Sequence, residues 1–315
     1  MADAPHVPVL SDAVVAYAVP RPGARFVVDA TVGAGGHAAL VLRAMGSAGR
    51  LLGIDRDPAA LALARERLAP FGDQVRLVHG NLEDLGAIVS AQGWGGAGAV
   101  VYDFGVSSMQ LDEPARGFGY RHDAPLDMRM DPSLPVTAAD VVNAYDHPAL
   151  AQVIRTYGEE RWASRIATYI VEARKRAPIT TTGELVEIIL AAVPSAARRV
   201  GPHPARRTFQ ALRIEVNREL SAIESSLPQA VEALEEGGRL VALSYHSLED
   251  RIVKRFIRSE SSREAPRLRT LTRKPERPSD EEVARNPRAS SARLRAAERL
   301  AAPPAPAGNG PGDAA

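Results

Sequence analysis

The chain of 315 residues is long enough for one large domain with an insertion, and its 45% hydrophobic and 24% charged residues are typical of a globular protein. The absence of cysteine excludes disulfide bonds, thiol nucleophiles and cysteine metal sites. The sequence contains no run of about 18 apolar residues, and segment 1–10 lacks the pattern of a signal peptide. It therefore predicts a cytoplasmic protein without a membrane helix.

Charge is unevenly distributed along the chain, although the formal net charge is only +1. Residues 1–150 contain 11 basic and 17 acidic side chains, whereas residues 151–315 contain 28 basic and 21 acidic ones. Segment 251–300 alone holds 15 basic and 7 acidic side chains. This asymmetry is typical of a protein that binds a polyanion, but a solvated arginine-rich surface produces the same pattern.

The first hundred residues alternate between strands and helices. Runs of β-branched and apolar residues predict strands over 25–32, 49–56, 74–80 and 97–105. Amphipathic segments predict helices over 37–45, 57–68 and 82–94. Strands that alternate with helices of this length predict βαβ units and a doubly wound parallel sheet, which is an α/β fold.

This pattern changes after the fourth strand. Residues 105–135 are rich in Gly, Pro and Asp and predict a long ordered loop, a feature that in compact domains is usually functional. Helical segments follow, without a strong strand signal before residue 205. A helix over 207–234, a strand over 237–247 and a basic helix over 248–259 then indicate that the sheet resumes.

Four segments are predicted from this pattern. They are the first part of the sheet domain over 1–112, an all-helical insert for substrate recognition over 113–205, the second part of the sheet domain with a basic surface over 206–300, and a disordered low-complexity tail over 301–315. Within the second part, residues 260–290 predict a loop or short hairpin, and residues 290–299 predict an edge strand.

Glycines cluster between the first strand and the first helix, in the stretch "DATVGAGGH" over 29–37. A glycine turn at this point of a doubly wound sheet brings the backbone close to a nucleotide-like ligand. Asp55 follows the second strand and is suited to bind ribose hydroxyls. The pattern also fits a loose dinucleotide fingerprint, so a nicotinamide-dependent dehydrogenase is an alternative, as is a tight turn without a ligand.

Three features favour S-adenosylmethionine over a dinucleotide. Asp29 precedes the glycines, where it would repel a pyrophosphate but tolerate a sulfonium and an amino group. Residues 80–82, "GNL", supply a polar turn and the apolar Leu82 to flank an adenine. Asp103 ends the fourth strand, near the switch point of the sheet, although an aspartate there is also a common turn former.

Several long motifs resemble the RsmH (MraW) family of bacterial methyltransferases, which act on N4 of a cytidine in small-subunit ribosomal RNA. The resemblance covers nearly the whole chain except the tail. It is most specific in three stretches, namely "DFGVSSMQLDEPARGFGYRHDAPLDMRMD" (103–131), "RTFQALRIEVNREL" (207–220) and "SYHSLEDRIVKRF" (244–256). It implies a class I S-adenosylmethionine-dependent methyltransferase fold with an inserted helical domain.

The resemblance also implies which residues contact S-adenosylmethionine. These residues are Gly35, Gly36, His37, Asp55, Asp103 and Gln110. Leu82 stands where the family often has phenylalanine, so an apolar contact with the adenine replaces aromatic stacking. Met109 stands where a proline before Gln110 is more usual. No metal is expected, because the seven histidines do not cluster at ligand spacing.

Asp103 is the predicted catalytic residue. Cytosine N4 is a poor nucleophile, so methyl transfer requires in-line positioning and an acceptor that favours the pyramidal amine. We expect Asp103, or the backbone carbonyls beside it, to accept from N4 or to orient the amino end of the cofactor. His37 is expected to touch the cofactor carboxylate or to cap its helix.

Aromatic and basic residues are candidates for RNA contacts. Tyr245, Phe118 and Tyr120 are predicted either to stack on a flipped base or to pack inside the protein. Arginines on the long loop are predicted to meet phosphates or to pair with nearby aspartates; they are Arg116, Arg121 and Arg129. Further phosphate contacts are predicted for the arginines of 251–299 and for Arg198, Arg199, Arg206 and Arg207.

The predicted reaction is methylation of N4 of a specific cytidine in the decoding region of 16S rRNA, with the small ribosomal subunit as partner. A ribosome-assembly factor that keeps the fold without catalysis is a second alternative. The set of Asp29, Gly35, Asp55 and Asp103 argues against it.

Overall fold

A computed structural model describes residues 8–19, 26–199 and 201–301. Within these ranges, the strands are β1 (Phe26–Asp29), β2 (Arg50–Asp55), β3 (Val75–His79), β4 (Ala97–Asp103), β5 (Leu234–Ser244), β6 (Leu268–Thr270) and β7 (Arg293–Arg299). They form one sheet in the order β3-β2-β1-β4-β5-β7-β6. Strands β1 to β5 pair in parallel, and β7 runs antiparallel to both β5 and β6.

The helices of the described ranges come in chain order between and after these strands. They are α1 (Ser11–Ala18), α2 (Gly36–Met45), α3 (Pro58–Leu68), α4 (Leu85–Ser90), α5 (Ser108–Asp112), α6 (Ala138–Ala144), α7 (His147–Gly158), α8 (Ala163–Arg174), α9 (Thr182–Ala192), α10 (Ser195–Arg198), α11 (Ala205–Asn217), α12 (Glu219–Ala233), α13 (Ser247–Ser261) and α14 (Asp280–Arg285). None of these helices combines the length and apolar character needed to cross a lipid bilayer.

The prediction of a doubly wound α/β sheet is confirmed. The four N-terminal strands lie where their β-branched runs predicted them, and the sheet resumes at β5 after the helices. A strand does form within the predicted range 290–299, but the prediction that it lies at the edge of the sheet is wrong. Strand β7 lies inside the sheet, because β6 pairs with its outer side through Leu268 and Arg299. Strand β6 is only three residues long, and two of these are polar, so its sequence carries little strand signal.

Apolar side chains cover both faces of the sheet. On one face, α1, α2 and α3 pack over alternate residues of β1, β2, β4 and β5, such as Val27 and Leu51. On the other face, α4, α12 and α13 pack over residues of opposite parity, such as Val28 and Leu52. This alternation follows from the two-residue period of side chains along a strand. The predicted tail lies outside the described residues from position 302 onward.

A second hydrophobic core lies between β4 and β5 in sequence. It is formed by residues from Phe118 to Val216 on the long loop and on helices α6 to α11. The predicted domain boundary at residue 206 places α11 in the second part of the sheet domain. The apolar side chains of α11, among them Phe209 and Leu212, pack in this insert core instead. The predicted helix over 207–234 is divided at Arg218, whose φ of 51° ends α11.

Candidate active site

Three carboxylates meet on one face of the sheet where the parallel strands end. Asp29 pairs in register with Gly53 of β2 and with Val101 of β4. Asp55 and Asp103 lie two residues beyond those partners. Since residues two apart share a face and aligned residues of neighbouring strands do too, Asp29, Asp55 and Asp103 project from the same face. The sequence order alone placed each aspartate at a strand end, and the register brings them together.

The glycine turn between β1 and α2 is shaped by Asp55. The carboxylate of Asp55 accepts from the backbone N–H of Gly33 at 2.8 Å and from that of Asp57 at 2.9 Å. Gly33 and Gly35 have φ values of 53° and 78°, in the left-handed region that glycine adopts without strain. Gly35 also precedes α2 as its N-cap, so the first backbone N–H groups of the helix point toward this turn.

The close packing behind the turn explains why side chains are absent there. A Cβ at Gly35 would lie 3.2 Å from Cγ of Leu68, and one at Gly36 would lie 2.8 Å from Cγ of Pro8. Both glycines therefore allow α2 to pack against the neighbouring segments as well as permitting a ligand to approach.

Asp29 is the most deeply placed of the three carboxylates. Its exposed fraction is 3%, and among the described residues its carboxylate accepts only one hydrogen bond, a long one of 3.3 Å from the backbone N–H of Thr31. Burial, with smaller contributions from the charges of Asp103 and Asp55, raises the pKa of Asp29 from 3.8 to about 7. A buried acid of this kind gains most from a nearby positive charge.

Asp103 is held in place from three sides. The hydroxyl of Tyr245 donates to its Oδ1 at 2.8 Å, and its own backbone N–H donates to Oγ1 of Thr31 at 2.6 Å. Nε2 of the buried His37 lies 3.6 Å from Oδ2. The side chain of Asp103 is nevertheless 30% exposed, so a substrate group is able to reach it. The predicted catalytic aspartate is thus fixed in orientation but accessible.

Tyr245 is anchored in turn by the start of α13. Glu249, which is fully buried, accepts from the backbone N–H groups of Tyr245 at 2.7 Å and His246 at 3.2 Å, and lies 3.1 Å from Nε2 of His246. Burial acts to raise the pKa of Glu249, but the charges of His246 and Arg213 outweigh it and lower that pKa. Glu249 is not among the site residues predicted from the sequence. The sequence does indicate a role for Glu249, because the stretch "HSLE" places it three residues after His246, which is the spacing of a helix capping box.

Gln110 lies near the predicted site, but its side chain is already engaged. Its Nε2 donates to Oδ2 of the fully buried Asp57 at 2.7 Å, and its Oε1 accepts from the backbone N–H of Ser107 at 3.0 Å. Nη1 of Arg116 lies 3.0 Å from the same Asp57 oxygen. Gln110 therefore links the loop after β4 to the segment after β2, and a cofactor contact by Gln110 stays a prediction.

Leu82 follows β3 and lies against the core cluster that α4 and α12 form over the sheet. Beside it, Oδ1 of Asn81 accepts from Nη2 of Arg56 at 2.6 Å, and Nη1 of Arg56 donates to the backbone carbonyl of Asn217 at 2.6 Å. Arg56 is not among the site residues predicted from the sequence. Its only distinguishing feature there is its position next to Asp55. It ties the turn after β2 to the end of α11.

The structure brings together the glycine turn, His37, Asp55 and Asp103, and it keeps other predicted residues apart. Phe118 is buried in the insert core. Arg129 forms a bidentate pair with Asp127, as one of the two sequence alternatives predicted. Arg116 pairs with Asp57, which lies outside the long loop, so the predicted pairing with a nearby aspartate is not the one found.

These features define a doubly wound α/β protein with a glycine turn and three carboxylates at the carboxyl ends of its parallel strands, where proteins of this architecture bind ligands. Residues 3–300 match the model of the MraW methylase family, and the chain belongs to this family of methyltransferases.

Three relatives, each called ribosomal RNA small subunit methyltransferase H, illustrate the similarity. The chain is 55% identical to the protein of Acidothermus cellulolyticus over 94% of both chains. It is 52% identical to the protein of Symbiobacterium thermophilum, over 94% of this chain and 97% of the relative. It is 51% identical to the protein of Heliobacterium modesticaldum, over 94% of this chain and 98% of the relative.

Proposed function

We propose that this protein transfers a methyl group from S-adenosylmethionine to N4 of a specific cytidine in the decoding region of 16S rRNA. The observation that carries the proposal is the fixed and accessible Asp103, in a chain 55% identical to a ribosomal RNA small subunit methyltransferase H. The partner is the small ribosomal subunit, and the proposed location is the cytoplasm, where that subunit is found.

The residues at the strand ends suit S-adenosylmethionine. Three carboxylates on one face, one of them with a pKa of about 7, disfavour a pyrophosphate and favour a sulfonium and an ammonium group. We assign the cofactor to the turn of Gly35 and Gly36, with His37 and Asp55 beside it and Leu82 against the adenine. When bound, this cofactor supplies an electrophilic methyl group.

In this assignment Asp103 is the catalytic residue. Its carboxylate accepts a hydrogen bond from the N4 amine and so favours the pyramidal, nucleophilic form of the nitrogen. Tyr245 holds the carboxylate in one orientation, which fixes the direction from which the amine approaches. The helical insert covers the predicted segment 113–205 and also includes α11. Its proposed role is to recognise the RNA.

The alternatives fit less well. A nicotinamide-dependent dehydrogenase requires a pyrophosphate beside Asp29, and the chain belongs to a methylase family. A non-catalytic assembly factor has no use for an accessible carboxylate held by a partly buried tyrosine, which a buried glutamate anchors in turn.

The test is methyl transfer from labelled S-adenosylmethionine to small ribosomal subunits, with the product nucleoside identified by mass spectrometry. Subunits from cells that lack the endogenous enzyme offer an unmodified site, and fully modified subunits are the control. Label in N4-methylated cytidine at one position supports the proposal. Cofactor binding without transfer to rRNA contradicts the substrate, and absence of cofactor binding contradicts the methyltransferase assignment.

A further inference from the structure

An open depression lies on the helical insert, away from the carboxylates at the strand ends. It has a volume of about 570 Å³ and is lined by Tyr120, Arg121, Pro202, His203 and Arg206. We call it the Tyr120–His203 depression. Its volume lies within the roughly 300–1,000 Å³ of small-molecule sites, and its lining combines aromatic and basic groups.

The aromatic part of the depression is an ordered stack. The rings of Tyr120 and His203 are nearly parallel, with centroids 4.8 Å apart and an interplanar angle of 13°. The edge of Phe209 supports Tyr120 from the insert core at 5.8 Å. Nδ1 of His203 accepts from the backbone N–H of Ala205 at 3.2 Å, which fixes the ring plane. Because His203 is exposed, its ring offers a platform on which a further planar group can stack.

The basic part of the depression consists of two arginines. Arg121 and Arg206 are both exposed, and within the described residues neither guanidinium forms an ion pair. Arg116 and Arg129 of the same loop region are, by contrast, paired with Asp57 and Asp127. An aromatic platform beside unpaired arginines is the arrangement that proteins use to bind single-stranded nucleic acid, through base stacking and phosphate contacts.

A chain of contacts connects this depression to the proposed active site. His203 and Arg207 line a second, smaller depression of about 250 Å³. Nη1 of Arg207 donates to the backbone carbonyl of Glu159 at 3.1 Å. The carboxylate of Glu159 accepts from Nη2 of Arg251 at 2.8 Å and from the hydroxyl of Ser247. Ser247 lies two residues after Tyr245, whose hydroxyl donates to Asp103.

We propose that the Tyr120–His203 depression binds an unpaired nucleotide of the RNA substrate other than the methylated cytidine. Its base stacks on His203, and its phosphate is held by Arg121 and Arg206. This subsite rests on the proposed function, since it gives the RNA a second anchor on the insert. It contributes to binding of the particle and not to the chemical step.

The test compares His203→Ala with His203→Phe, since both remove the Nδ1 acceptor and only the second keeps an aromatic ring. Methyl transfer to unmodified small subunits is measured at varied subunit concentration. Loss of one stacking contact is expected to raise KM for the subunit about 10-fold in His203→Ala. His203→Phe is expected to stay within about 2-fold of wild type, because an aromatic platform remains. In both variants kcat and the calorimetric affinity for S-adenosylmethionine are expected to remain those of the wild type.

Arg206→Ala is compared with Arg155→Ala, which removes the same charge from an exposed position of the insert that lines neither depression. Arg206→Ala is expected to raise KM and to reduce its salt dependence by about one counterion, whereas Arg155→Ala leaves both unchanged. An active wild type with an unchanged KM in His203→Ala overturns the subsite alone. A wild type that binds cofactor but transfers no methyl group to the subunit overturns the proposed function, and the subsite with it.

Discussion

The hydroxyl of Tyr245 donates a hydrogen bond to Oδ1 of Asp103 at 2.8 Å, across 142 positions of sequence. Asp103 ends β4 and Tyr245 directly follows β5, and these strands are parallel neighbours in which Asp103 pairs in register with Leu243. Burial, with the nearby charge of Asp103, raises the pKa of Tyr245 well above its usual 10. The hydroxyl therefore stays protonated and remains a donor throughout the physiological pH range, which keeps the carboxylate in one orientation.

Tyr245→Phe is expected to lower kcat about 10-fold while leaving the affinity for S-adenosylmethionine nearly unchanged. A hydrogen bond to a charged group contributes roughly 1.5–3 kcal/mol, and its loss lets Asp103 rotate away from the amine. Single-turnover methyl transfer with saturating cofactor and subunit measures the effect.

Tyr102→Phe is the matched control for this change. Tyr102 precedes Asp103 in β4, but its hydroxyl donates to the backbone carbonyl of Ser226 at 3.3 Å on the opposite face of the sheet. Its loss is expected to cost stability and not turnover. Equal turnover losses in the two variants would contradict a positioning role for Tyr245.

Asp103→Asn is expected to lower kcat at least about 100-fold, because it preserves shape but removes the charge that polarises the amine. Asp103→Ala is expected to lower it further. Turnover at saturating cofactor is the measurement, with cofactor affinity determined separately. Full turnover in Asp103→Ala would show that another group accepts from N4.

Asp29→Asn is expected to change how stability depends on pH. Because burial raises the pKa of Asp29 from 3.8 to about 7, the folded protein binds a proton more tightly than the unfolded chain. The resulting stabilisation is complete below about pH 4 and is lost as the pH rises through about 7, a loss of roughly 4 kcal/mol.

The measurement for Asp29→Asn is the free energy of unfolding in urea, without cofactor, from pH 5 to pH 8. Wild-type stability is expected to fall relative to the variant over this range. Stability curves that run parallel would mean that Asp29 is ionised in the folded protein throughout.

Arg116→Met is expected to lower the free energy of unfolding by about 3 kcal/mol, because it leaves the carboxylate of Asp57 buried without its counter-charge. The double variant with Asp57→Asn is expected to recover part of this loss. Lys175→Met is the control, since Lys175 pairs with Glu172 where both side chains are 63% exposed, and should cost less than about 1 kcal/mol. Urea unfolding measures all three, and an Arg116→Met loss no larger than that of the control would contradict the buried pair.

The N-terminal half of the sheet and its glycine turn were predictable from sequence. The runs before Asp29, Asp55 and Asp103 are continuous and apolar, as expected for strands buried on both faces. The left-handed φ values of Gly33 and Gly35 explain the glycine cluster, because other residues adopt them only with strain. Strand β6 was missed, since three residues carry too little pattern to be distinguished from a loop.

Local sequence thus determined the order of the elements, the glycine turn and the three aspartates at strand ends, because β-propensity, helix capping and backbone φ depend on near neighbours. Tertiary structure alone decided the long-range partners of polar side chains: Tyr245 with Asp103, and Gln110 and Arg116 with Asp57. Buried polar groups must find hydrogen-bonding partners wherever the packing brings them. In this fold the packing joins Tyr245 to Asp103 across 142 residues, and no local pattern specifies that choice.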